Sequence, residues 1–165
     1  MSSGPPLVLF VSRRNTGASI LAEAILKHFA HGRVIAASAG ESSGQEAVHP
    51  AALECLRAHG VATKGLQNKG WGEFFGLGKP LVRFLISLDE VYASGANWSP
   101  DTVIASWPTP DPAALIAGEI DLQIAFEEAY GLLLTRIFQF LATRWESLSD
   151  RELSDALAAI GGPYD

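Results

Sequence analysis

The stretch Leu7–Ala30, LVLFVSRRNTGASILAEAILKHFA, constrains this chain more than any other. Five apolar residues, Leu7 to Val11, have the length and bulk of a buried parallel strand. A polar loop, Ser12 to Gly17, leads straight into an apolar-periodic helix headed by Ser19, Ile20 and Leu21. A strand, a tight loop and a helix in succession aim backbone N–H groups and the positive end of a helix dipole at one point. Such a point is suited to an anion.

The remainder of the chain alternates strands and helices. Val34–Ser38 reads as a second strand, and Ala39–Gly44 has loop composition. Pro50 opens a helix that runs to about Ala58 and stops at Gly60, a C′ glycine. Gly65–Gly78 interleaves five glycines with Trp71, Phe74 and Phe75 and reads as irregular, with room for one helical turn. Its aromatic part, Gly65–Phe75, has three readings: a mobile lip over the site, a partner-binding patch, or a loop tacked down by Trp71 and Phe74. Leu81–Leu88 is a third strand ending at Asp89-Glu90, Tyr92–Pro100 is turn-rich, and Val103–Ala105 is a fourth strand. Prolines stiffen the loop Trp107–Pro112. A long helix comes next, with Leu122, Phe126, Ala129, Leu133, Ile137 and Phe140 in one stripe. Ser149-x-x-Glu152 is a capping box for a last helix, which ends at Gly161-Gly162-Pro163 and presents Leu153, Leu157 and Ile160 for packing on the domain or on a second subunit.

This order predicts an α/β protein, a three-layer α/β/α arrangement around a four-stranded parallel sheet. The carboxyl ends of the strands should bring together the loops at Ser12, Asp89 and Asp111. One domain, 1–165, accounts for the length, with a core at 7–142 and a helical extension at 147–165. A hydrophobic content of 48% makes the chain globular, and a net charge of −6 argues against nucleic-acid or membrane binding. No run is long and apolar enough for a membrane span, and MSSGPP lacks the positive segment of a secretory signal. A single cysteine, Cys55, excludes an internal disulfide. The expected location is cytoplasmic.

VLFVSRRNTGASILAEAI resembles the opening of the low-molecular-weight protein tyrosine phosphatases and the thioredoxin-coupled arsenate reductases, which share one fold. Their pattern is an apolar strand, then Cys, two residues, Asn, two residues, Arg, Ser, and a helix containing Ala-Glu. Asn15, Ser19 and Ala22-Glu23-Ala24 occupy matching places, and the match continues through Ser38-Ala39-Gly40, His49-Pro50, Gly60-Val61 and Asp111-Pro112. The resemblance implies a low-molecular-weight phosphatase-like fold and an anion-binding loop made of Ser12, Arg13, Arg14, Asn15, Thr16, Gly17, Ala18 and Ser19. Its implied ligand is phosphate, sulfate or an arsenate-like oxyanion, with no cofactor. A protein partner or a homodimer is compatible with it.

The departures bear on chemistry. Ser12 stands where the family has its nucleophilic cysteine, and Ala18 where it has the phosphate-clamping arginine. A helix dipole lowers a thiol's pKa into the working range, but a serine hydroxyl needs a neighbouring base, and SRRNTGA supplies none. A methyl group cannot hold equatorial oxygens. Arg13 and Arg14 read as a charged rim, or as a relocated clamp. Asp111 matches the family's general acid, and reads equally as a turn aspartate that N-caps the helix after it. A Cys-to-Ser replacement made to trap substrate would account for Ser12 but not for Ala18.

Arsenate reduction would need two further cysteines after the third strand, and SLDEVYASGANWSP has none. Cys55 reads as a core residue. His28 and His31 are three apart without a partnering motif, His49 and His59 read as turn and helix-end residues, and no metal site is expected. The expected function is an oxyanion-binding or regulatory module with a degenerate loop and no turnover. The alternatives are a weak phosphatase with Ser12 as nucleophile and Asp111 as general acid, or an arsenate reductase by family label.

Overall fold

The computed structural model describes residues 4–41, 46–74, 76–89, 98–116 and 118–162. Expectations for Ser42–Gly44, Phe75, Glu90, most of the turn-rich segment at 92–97, and Pro163 lie outside them. Four strands, β1 (Leu7–Val11), β2 (Ile35–Ala39), β3 (Val82–Ser87) and β4 (Val103–Ser106), form one parallel sheet in the order β2-β1-β3-β4. The helices are α1 (Ala18–Ala30), α2 (Pro50–Ala58), α3 (Glu119–Ala142) and α4 (Asp150–Gly161). No helix among the described residues is long and apolar enough to cross a membrane.

Strand β1 is buried along its whole length because both of its faces are covered, which is why it reads as a continuous apolar run. Val8 and Phe10 face the main core, with Phe84 and Ile86 of β3 and the apolar sides of all four helices. Leu7, Leu9 and Val11 face the other way, onto a smaller cluster completed by Val82, Leu85, Trp71, Phe74 and Trp98. Among the described residues, this second layer is built from a 3-10 turn, Trp71–Phe74, and aromatic side chains. The glycine-rich segment is therefore tacked down at 70–74. Gly40 and Gly70 form a parallel bridge, and the Trp71 N–H bonds the Gly40 carbonyl at 2.9 Å.

The stripe on α3 is buried at Phe126, Ala129, Leu133, Ile137 and Phe140, while its first member, Leu122, is only partly buried against the core. Two further residues, Tyr130 and Arg136, are buried beside it. The Arg136 guanidinium is 1% exposed and donates to the Trp107 carbonyl (2.9 Å), Thr109 Oγ1 (2.8 Å) and the Gly161 carbonyl (3.3 Å). One side chain thus ties α3 to the loop after β4 and to the end of α4. Helix α4 packs on its own domain, with Leu153 and Leu157 in the main core and the Trp107 indole N–H on the Leu157 carbonyl. A β-carbon at Gly161 would overlap the Ser106 carbonyl, so this close approach requires glycine. The capping box Ser149–Glu152 starts α4 with both of its hydrogen bonds present.

Candidate functional site

The strand order changes direction at β1, because β2 lies on one side of it and β3 on the other. The crevice beyond the carboxyl end of such a strand is where α/β sheets hold ligands. Ser12–Gly17 occupies it. Three neighbouring strands feed the same edge: the Ser12 N–H bonds the Ala39 carbonyl (3.2 Å), the Leu88 N–H bonds the Val11 carbonyl (2.9 Å), and the Trp107 N–H bonds the Ser87 carbonyl (2.8 Å).

Asn15 holds the loop's shape. Its backbone is left-handed (φ 56°), a conformation asparagine tolerates better than most residues. Its side chain is fully buried, donating from Nδ2 to Ser19 Oγ (2.8 Å) and accepting the Lys69 N–H at Oδ1 (2.9 Å). Asn68 Nδ2 donates to the Arg14 carbonyl (2.7 Å), so residues 68–69 form a wall along the loop. Lys69 also pairs with the buried Glu23, at 3.5 Å, and Glu23 accepts the Ser38 hydroxyl at 2.6 Å. A β-carbon on Gly40, just past β2, would press on the Arg14 carbonyl carbon and the Asn15 β-carbon, both at 3.0 Å, so glycine suits this close approach to the loop.

Ser12 is 1% exposed. Its Oγ accepts the Asn15 N–H (3.1 Å) and shares a 2.7 Å hydrogen bond with Ser19 Oγ. Neither partner is a base. Thr16, Gly17, Ala18 and Ser19 are buried, whereas the Arg13 and Arg14 side chains are exposed at the rim.

Two carboxylates converge on the loop from other strands. Asp89 Oδ2 accepts the Arg13 N–H at 2.6 Å. Asp111 Oδ1 accepts the Ala18 N–H at 3.1 Å and the Ala113 N–H at 3.1 Å. Asp111 therefore caps a 3-10 turn, Pro112–Ala114, and the first turn of α1 together. Gly17 leaves space for it, since a β-carbon there would strike the Asp111 carboxylate and Ala113. Burial is the main cause that raises the Asp111 carboxyl above the usual range, opposed by the N–H groups of Ala18 and Ala113. The Asp89 charge adds to the rise and Arg14 offsets part of it. An apolar cavity of about 280 Å³, lined by Pro110, Pro112, Leu115, Ala129 and Leu132, adjoins this carboxyl.

The structure brings the loops at Ser12, Asp89 and Asp111 to one edge of the sheet, and Asn68 and Lys69 join them there. Asp89 was legible as a residue at a strand's carboxyl end. Asn68 and Lys69 carried no signal, because only the tertiary path of the 65–74 segment brings them to the loop. Cys55 lies elsewhere, between α2 and α3, where burial first and Glu127 second push its thiol up to about 12.

A tight loop at the switch point of a parallel sheet, joined directly to a helix N-terminus, is the place where α/β proteins commonly hold ligands. Residues 7–76 match the family described as low molecular weight phosphotyrosine protein phosphatase. In this stretch of sequence the chain is similar to those phosphatases, and in fold it is similar to both the phosphatases and the arsenate reductases. The thioredoxin-dependent arsenate reductase of Corynebacterium glutamicum is 27% identical with a TM-score of 0.58, over 89% of this chain and 63% of that one. The chain thus spans less than two-thirds of that relative. An arsenate reductase in a phosphate-binding state is 25% identical (TM-score 0.62; 83% of this chain, 97% of that one). The low molecular weight protein tyrosine phosphatase of Streptococcus pyogenes shares the fold at 20% identity (TM-score 0.62; 90% and 97%). Comparison with curated protein sequences gave no match.

Proposed function

We propose that the Ser12–Ser19 loop binds a phosphate-like oxyanion without turning it over, and that the protein works as a binding or regulatory module. The observation that carries this reading is the environment of Ser12. Its oxygen is engaged by the Ser19 hydroxyl and the Asn15 N–H, and neither can take its proton. Residue 18, where the family's arginine stands, offers a methyl group and a backbone N–H. A guanidinium that stabilises phosphoryl-transfer charge is worth roughly a thousandfold or more in rate. Loss of nucleophile and clamp together removes the chemistry and leaves the N–H groups.

The same geometry limits affinity. An incoming oxyanion competes with Asp89 for the Arg13 N–H and with Asp111 for the Ala18 N–H. Two carboxylates beside the loop repel it, so binding falls in the millimolar range, about −4 kcal/mol. Protonating Asp111 removes one of those charges, so affinity rises as pH falls.

A second reading has one observation in its favour. The raised carboxyl of Asp111 keeps a proton to higher pH than an ordinary aspartate, as a general acid requires. It would serve a weak phosphatase with Ser12 as nucleophile. An arsenate-reductase reading has no such support, because the single thiol is held between α2 and α3.

The test is a sulfate titration monitored by the amide resonances of residues 13–19, since sulfate keeps its charge across the pH range. Millimolar binding that tightens on acidification supports the proposal. Amides that stay unshifted at every pH contradict it.

A further inference from the structure

Away from the loop, α2 and α3 bring three potential metal ligands together. Cys55 and His59 are four residues apart and so share one side of the chain as it leaves α2. Glu127 faces them from α3. His59 Nε2 is 2.7 Å from Glu127 Oε2, Cys55 Sγ is 3.5 Å from Glu127 Oε1, and the three ligand atoms all lie within 4.8 Å of one another. An ordinary ion pair explains His59 and Glu127 alone. It does not explain why the chain's one thiol meets them there.

Tetrahedral zinc with bonds of about 2.0–2.3 Å separates its ligand atoms by about 3.4–3.6 Å. The sulfur lies at this distance from Oε1 and the imidazole nitrogen closer than this to Oε2, so a shift of about 1 Å in the exposed Glu127 side chain lets one oxygen serve both edges. Thiolate, imidazole and carboxylate form a donor set that suits zinc and not magnesium or calcium. The imidazole plane is fixed, since His59 stacks on Tyr130 with centroids 3.9 Å apart and rings 10° from parallel. Cys55 and Glu127 also line a cavity of about 350 Å³ with Glu54, Gln123 and Phe126. That leaves room for a water molecule at the fourth position.

We infer that Cys55, His59 and Glu127 bind a zinc ion with water as its fourth ligand, at a site separate from the oxyanion loop. Binding releases the thiol proton and joins α2 to α3 through the metal. The site departs from the sequence expectation of no metal, and its trace there is Cys-x-x-x-His within CLRAH.

The experiment titrates the untagged chain with zinc by calorimetry and with cobalt(II) by absorption. The expected result is one ion per chain, a tetrahedral cobalt spectrum with a thiolate charge-transfer band, and a rise in Tm on adding zinc. His59→Ala and Glu127→Gln alter exposed side chains, so both variants fold, and each should weaken zinc binding about tenfold or more. Cys55→Ala should abolish the charge-transfer band. Absence of stoichiometric binding, a cobalt spectrum without the thiolate band, or unchanged affinity in His59→Ala would overturn the inference.

Discussion

The Asp111 carboxylate accepts the backbone N–H of Ala18 across 93 positions of sequence. That one hydrogen bond joins the loop after β4 to the first turn of α1, so a buried carboxylate occupies the backbone donor at the start of that helix. Asp89 does the same for Arg13 from the end of β3. The protein's own carboxylates thus cap the loop from two sides.

Asp111→Asn should raise Tm near neutral pH. The folded-state carboxyl titrates above its unfolded value, so the native state binds the extra proton. Asp111 therefore disfavours folding increasingly as pH rises from the unfolded value of about 4 through the folded one, and the effect is constant beyond it. Asparagine keeps an acceptor for Ala18 and Ala113 and removes the buried charge. Thermal melts across pH should show the variant gaining on the parent in that window and matching it below. Asp111→Ala, by contrast, loses both caps and should cost about 1 kcal/mol.

Sulfate should bind more tightly to Asp111→Asn than to the parent at neutral pH, and its affinity should depend less on pH. The amide titration reads this directly. Equal affinities would show that the Asp111 charge is not what limits the loop.

Asn15→Ala should be among the most damaging changes near the loop. It removes two buried hydrogen bonds, to Ser19 and from Lys69, and places alanine at φ 56°. The expected loss is roughly 2–4 kcal/mol by chemical denaturation. Asn15→Gly relieves the backbone and should lose less, while both variants lose sulfate binding.

Arg136→Ala should cost on the order of 3 kcal/mol, because it strips buried carbonyls at Trp107 and Gly161 and the Thr109 hydroxyl of a charged donor. Since that guanidinium braces the loop leading to Asp111, the Ala18 amide resonance should shift as well. A stable variant with an unchanged Ala18 resonance would refute the bracing role.

What the sequence disclosed divides along physical lines. Strand β1, the helices and the capping of α4 were readable because apolar period, glycine stops and Ser149-x-x-Glu152 are local signals. Ser12 and Asp111 were readable because strand ends and loop chemistry point to one sheet edge. Arg136 was not, since a charge on a helix ordinarily reads as solvent-facing and only its three acceptors explain its burial. The four-stranded parallel sheet and its helices were legible in the order of the elements; the packing of Trp71, Phe74 and Trp98 on Leu7, Leu9 and Val11 was not, because those partners lie far away in sequence.

On the proposed reading, the scaffold persists while the reacting groups are gone. The most direct measurement is aryl-phosphate hydrolysis across pH by the parent, by Ser12→Ala, and by the double variant Ser12→Cys with Ala18→Arg. The expected result is a silent parent and turnover in the double variant, with Asp111 supplying the proton. Hydrolysis by the parent that disappears in Ser12→Ala would contradict it, and would make Ser12 a nucleophile.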